Sequence, residues 1–83
     1  MNVLTEADEK RLEEASKSKL LRIAWGLEIL ARVSRAHDVA ANHDVLYGGR
    51  MGCRERMDER EKALLDRLGW DHDSEYDNYS TSV

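Results

Sequence analysis

The chain has 83 residues, 17 acidic against 13 basic side chains, a net charge of -4 and one cysteine. That length holds a single domain, and one thiol excludes both an internal disulfide frame and a cysteine-built zinc site. The acidic balance excludes a general nucleic-acid binder, whose mark is a basic excess. Asp71, Asp73, Glu75 and Asp77 all follow the last basic residue, Arg67, so the excess acidity belongs to the end of the chain.

The opening stretch, Met1 to Glu14, is acidic and polar, unlike a secretion signal. The most apolar run, Leu20 to Val33, is interrupted by Arg22, Glu28 and Arg32 and is too short and too charged to span a bilayer. A cytoplasmic location with no membrane partner is expected.

The first helix should begin at Thr5, whose hydroxyl stands three residues before Asp8 as in a capping box. Its early residues are mostly solvated, with only Ala7, Leu12 and Ala15 apolar. From Ser18 to about Val45 a helical wheel gathers Leu20, Ile23, Leu27, Leu30 and Val33 on one side, with Gly26 and His37 inside the same arc. An arc this wide needs more than one neighbour, which predicts a homo-oligomer interface through Leu20, Ile23, Gly26, Leu27, Leu30, Val33 and His37. Glycine in mid-helix costs roughly 1 kcal/mol against alanine, so Gly26 is expected where another helix comes close. Ser16 and Ser18 offer a break, but no Gly or Pro enforces one. The preferred reading is a continuous helix of about 60 Å.

Gly48, Gly49 and Gly52 mark the clearest turn. They lack the lysine and hydroxyl of a P-loop and follow a helix, so a phosphate cradle is not expected there. A second helix should run from Cys53 to Leu68 and stop at Gly69, with Trp70 folding back over its last turn. Asp71 to Val83 is polar and acidic without apolar periodicity, which predicts a flexible tail.

The fold expected is therefore all-α. A long N-terminal helix, possible break near 16–18, leads through a Gly-rich turn to a shorter antiparallel helix and an acidic tail. The division is a helical domain over 1–70 and a tail over 71–83.

No catalytic set stands out. Cys53 has no histidine at a telling distance, and His37 and His43 are six apart rather than at helical ligand spacing, so neither metal nor cofactor is expected. His37 reads as a hydrogen-bonded core or interface histidine. The function expected is a non-catalytic protein-binding regulator or inhibitor, of the kind that phages and mobile elements direct at host machinery. Its partner would carry a basic surface, met by Trp70, Asp71, Asp73, Glu75, Tyr76, Asp77 and Tyr79, with Arg32 and Arg35 on the helix as further contacts. The alternative is a nucleic-acid-binding helical dimer using the Arg50–Arg60 segment. There, Glu55, Asp58 and Glu59 interleave with Arg54, Arg56 and Arg60, which favours a salt-bridged surface instead.

Overall fold

A computed structural model describes residues 3–33, 39–49, 52–75 and 77–82; Arg35, His37, Arg50 and Tyr76 lie outside these. The all-α expectation is overturned. The described residues form three α-helices and a four-stranded antiparallel sheet.

Helix α1 (Glu6–Ser16) starts at the capping box read from the sequence. Thr5 Oγ1 accepts from the Asp8 N–H at 3.1 Å, and Asp8 Oδ2 accepts from the Thr5 N–H at 3.1 Å. The continuous long helix is also overturned, because α1 ends at Ser16 and α2 (Lys19–Val33) begins afresh. Two serines make the break without glycine or proline. Ser16 Oγ donates to the Glu13 carbonyl at 2.6 Å, and Ser18 Oγ accepts from the Leu21 N–H at 3.3 Å as an N-cap. The helices fold into a hairpin, and the longest dimension of the molecule is 32 Å rather than the length of one rod.

The supposed end of the long helix is instead a β-hairpin, β1 (Val39–Asn42) and β2 (Val45–Gly48), with Ala40 opposite Tyr47. Its two-residue turn, His43-Asp44, places His43 at φ 57°, a region that Asn, Asp and His tolerate better than other side chains. The β-branched Val39 and Val45 each open a strand.

Gly49 and Gly52 carry the chain onward with φ of 72° and 79°. A short 3-10 turn, Arg54–Arg56, precedes α3 (Glu59–Arg67), which starts later than expected because Asp58 caps it. Asp58 Oδ1 accepts from the Glu61 N–H at 2.7 Å, and Glu61 Oε1 accepts from the Asp58 N–H at 3.1 Å. Gly69 ends the helix as its position predicts, with φ 87° and the Trp70 N–H bonded to the Leu65 carbonyl at 2.9 Å.

The flexible tail of the sequence reading is replaced by β3 (Asp71–Asp73) and β4 (Asn78–Ser82). The strand order is β1-β2-β4-β3, so β4 lies inside the sheet, paired with β2 and β3. Low apolar content was a poor guide because one ring secures the segment. Tyr79 is 2% exposed and sits opposite Gly48, where the absence of a side chain leaves room on the inner face.

Sheet and helices enclose one core that includes Trp25, Ile29, Leu64, Leu65 and Trp70. Gly26 is indeed a close-packing position, but the neighbour is an indole, not a helix. A Cβ added there would lie 2.5 Å from Trp70 Cε2 and nearer still to Nε1. At the other end of the core Asp8, 5% exposed, accepts from Arg60 Nε at 2.8 Å and Nη2 at 2.6 Å. This fork holds the Asp8 pKa down to about 2 against the opposing effect of burial.

Candidate protein-binding surface

Residues directly opposite in antiparallel strands share a face. The register therefore places His72, Tyr79, Gly48 and Leu46 toward the helices, and Asp71, Asp73, Ser80 and Tyr47 on the outer face. β3 forms one border of the sheet, with β4 as its only strand partner among the described residues. Asp71 and Glu75 are exposed at this border, and Asp73 Oδ1 accepts from the Glu75 N–H at 2.9 Å to shape the turn. No Lys or Arg occurs in β2, β3 or β4. The outer face thus carries Asp71 and Asp73 on β3 with no basic residue from these strands, and Tyr47 on β2 shares it.

The other residues expected in the tail are used within the fold. Trp70 is 2% exposed and lies against Gly26, so neither it nor the buried Tyr79 is available as a surface anchor. Arg54 Nη1 donates to the Tyr79 hydroxyl at 2.9 Å, while burial raises the phenol pKa and this contact opposes the rise. Asp77 adopts φ 50° and ties the β3–β4 turn to the glycine loop. Its Oδ1 lies 3.0 Å from His72 Nε2, and its Oδ2 accepts from the Gly52 N–H at 2.6 Å. The His72 hydrogen bond first, then that from Gly52, lowers the Asp77 pKa.

On the helical side the proposed oligomer residues are divided between two environments. Leu30 is 3% exposed, Gly26 is covered by Trp70, and Val33 packs against the core. Ile23 and Leu27 are partly buried, while Leu20 is 76% exposed and Ala24 and Ala31 are open to solvent. At 100° per residue Leu20, Ala24, Leu27 and Ala31 form one outward stripe with no charge in it. The stripe continues onto the sheet. Gly48, whose missing side chain would lie 3.9 Å from Leu27, pairs with Val39, and Val39 is 56% exposed. Arg32 is largely exposed and reaches the buried Glu61 at 3.8 Å.

Of the arginines of the nucleic-acid alternative, Arg50 lies outside the described residues and the other three each have a contact within the chain. Arg54 meets Tyr79, Arg60 forks onto Asp8, and Arg56 Nε donates to the Val33 carbonyl at 2.6 Å. Cys53 has no exposed surface, and burial, then the Asp77 charge, pushes its thiol pKa up, the opposite of nucleophile activation. Among the described residues no three His, Cys, Asp or Glu side chains gather as a metal would require. Among them, too, no helix is long and apolar enough to cross a membrane.

Sequence reasoning did not reach Tyr47 or Ser80 as parts of the acidic face. Their signal is the pairing of β2 with β4, which links residues far apart in the chain. No protein-family model matches this chain, and no curated protein or solved structure matches it either.

Proposed function

We propose that this chain is a non-catalytic regulator or inhibitor that binds a protein presenting an extended basic segment. The observation that carries this reading is the place of β3 at the border of the sheet, where Asp71 and Glu75 are exposed and β4 is the one strand partner among the described residues. Strand addition at such a border supplies main-chain hydrogen bonds, and carboxylates beside it select Lys or Arg in the incoming segment.

The test is a titration of the labelled protein with an extended Lys/Arg-rich peptide, followed by amide NMR. Shifts should centre on Asp71–Glu75 and weaken with added salt. Asp71→Lys with Glu75→Lys should abolish them while leaving the melting temperature within a few degrees, because both side chains are exposed. Shifts that spread evenly over the surface, or that survive the charge reversal, refute the reading.

A second element of the proposal is self-association through the outward stripe of α2. The molecule exposes 5582 Å² at 9.6 kDa. A monomer of that mass is expected to expose about 500 Å² less. An uncharged stripe ending at the open edge strand β1 suits a second copy, since an isologous contact places the same patch on both sides. The acidic border of β3 lies at the opposite edge of the sheet from β1, so the two contacts are compatible.

A further inference from the structure

A cleft of about 230 Å³ opens where the α1–α2 turn meets the end of α3, lined by Leu12, Ser16, Arg22, Arg67 and Leu68. Two guanidinium groups therefore border one small concavity. The Arg22 side chain is partly buried, and its Nε is sealed from solvent with no hydrogen-bond partner for that atom among the described residues. Buried donors of a charged group are ordinarily paired, and leaving one unpaired is costly. Arg67 is only loosely engaged, with Glu9 oxygens at 3.4 and 3.5 Å and half of its side chain exposed.

An internal explanation for Arg22 would be that it caps a helix end, since the C-termini of α1 and α3 lie nearby. Several of their last-turn carbonyls already accept a hydrogen bond within the chain. That of Glu14 accepts from the Lys17 N–H and that of Ala15 from the Ser18 N–H, and Ser16 Oγ serves Glu13. That of Leu64 accepts from the Leu68 N–H, that of Asp66 from the Gly69 N–H, and that of Leu65 from the Trp70 N–H. Arg22 also stands beside Gly69, where an added Cβ would come within 4.0 Å of its Nη1.

We infer that this cleft is a binding site for a tetrahedral oxyanion, with inorganic phosphate as the simplest member of the class. Arg22 and Arg67 both line the cleft, and two guanidinium groups bordering one concavity suit contact with phosphate oxygens. The Ser16 hydroxyl proton is committed to Glu13, so the anion contacts rest on the two arginines. Glu9 competes with the ligand for Arg67. The site lies on the helical side of the molecule and does not depend on the protein-binding reading of the β3 border.

Inorganic phosphate titrated against chloride at matched ionic strength tests this, read by melting temperature and amide NMR. Phosphate should raise the melting temperature saturably, with shifts confined to Ser16–Ile23 and Arg67–Trp70. Arg22→Gln should weaken binding by roughly tenfold or more, as expected for losing charge-assisted hydrogen bonds. Arg22→Lys keeps the charge and the stem and serves if the glutamine variant fails to fold; it should bind more weakly than the native chain. Glu9→Gln frees Arg67 and should tighten phosphate binding. A merely structural role for these residues would not produce that opposite sign. An equal response to chloride, unchanged phosphate binding in both Arg22 variants, or weaker binding in Glu9→Gln overturns the site.

Discussion

The helices and the sheet of this molecule follow different rules of assembly. Helices α1 and α3 are announced within four residues of their starts, by Thr5 with Asp8 and by Asp58 with Glu61. Every capping bond there is local, and each such cap contributes about 1 kcal/mol. The sheet has no comparable local announcement. Its central pair, β2 with β4, joins Val45 to Ser82 and Gly48 to Tyr79 across the whole of α3. The contrast teaches that sparse apolar content in a segment does not measure its structural weight. One ring placed opposite one glycine gives β4 an inner face, and the ladders on both sides supply the rest.

The sharpest way to break that contrast is to remove residues 78–83. A dispensable acidic tail would leave helicity and melting unchanged. The structure instead requires loss of the buried Tyr79 and of both ladders that β4 makes, so the cooperative melt should disappear. Tryptophan emission should shift to the red as Trp70 loses its cover. Tyr79→Ala alone should cost about 3–5 kcal/mol, as for other large buried aromatics, and a chemical denaturation curve measures it.

Gly26→Ala sharpens the same contrast from the helical side. Helix propensity alone predicts a gain of roughly 1 kcal/mol. The Trp70 indole occupies the space, so the added methyl should instead destabilise by about 1–3 kcal/mol. A melting temperature at or above that of the native chain would show that the indole packs elsewhere.

The Asp8–Arg60 fork ties the start of α1 to α3 and gives a pH signature. The folded Asp8 pKa, about 2, lies below its ordinary value of 3.8. The unfolded state therefore binds the proton more tightly, and the stabilisation is complete above about pH 4 and fades as the pH falls toward 2. Arg60 is partly exposed, so screening reduces the contribution to on the order of 1–2 kcal/mol. Asp8→Asn should lose that amount at neutral pH and flatten the acid limb of the stability profile. Asp77, also lowered, acts in the same direction, so the limb should shrink rather than vanish.

The smallest effect on folding is expected at Leu20, which is 76% exposed. Leu20→Asp should leave the melt of the monomer within about 0.5 kcal/mol, as surface changes usually do. It should nevertheless shift the mass seen in analytical ultracentrifugation from dimer to monomer. A native chain that sediments as a monomer at high concentration removes the self-association reading.

Legibility in the sequence follows the same division. Thr5, Gly69 and the glycine turn could be read because each signal and its consequence are neighbours in the chain. The break between Ser16 and Ser18 was visible as an option, and the two serine hydroxyls decide it through bonds that composition does not reveal. The β1–β2 hairpin was hidden by Ala40 and Ala41, good helix formers that extend the apparent period of α2. Asp71 and Glu75 could be read as acidic residues of the surface, but their place on a strand border could not. That place depends on Tyr79 being buried by residues distant in sequence. The width of the α2 arc predicts more than one neighbour. One proves to be the chain's own core, which takes Leu30 and Val33 and leaves Leu20 outside.

The strand order β1-β2-β4-β3 also sets a timetable for folding. The α1–α2 hairpin and the β1–β2 turn close short loops, whereas β2 can meet β4 only after the chain through α3 has been brought round. Closing that longer loop costs more entropy before any ladder bond repays it. Helical amides should therefore gain protection first in pulse-labelled hydrogen exchange, with Tyr47 and Ser80 among the last. Simultaneous protection of both groups would rule out this sequence of events. Until β4 arrives, β2 presents an uncovered apolar edge, so the interval before its arrival is when the chain is most prone to pair with its neighbours instead of with itself.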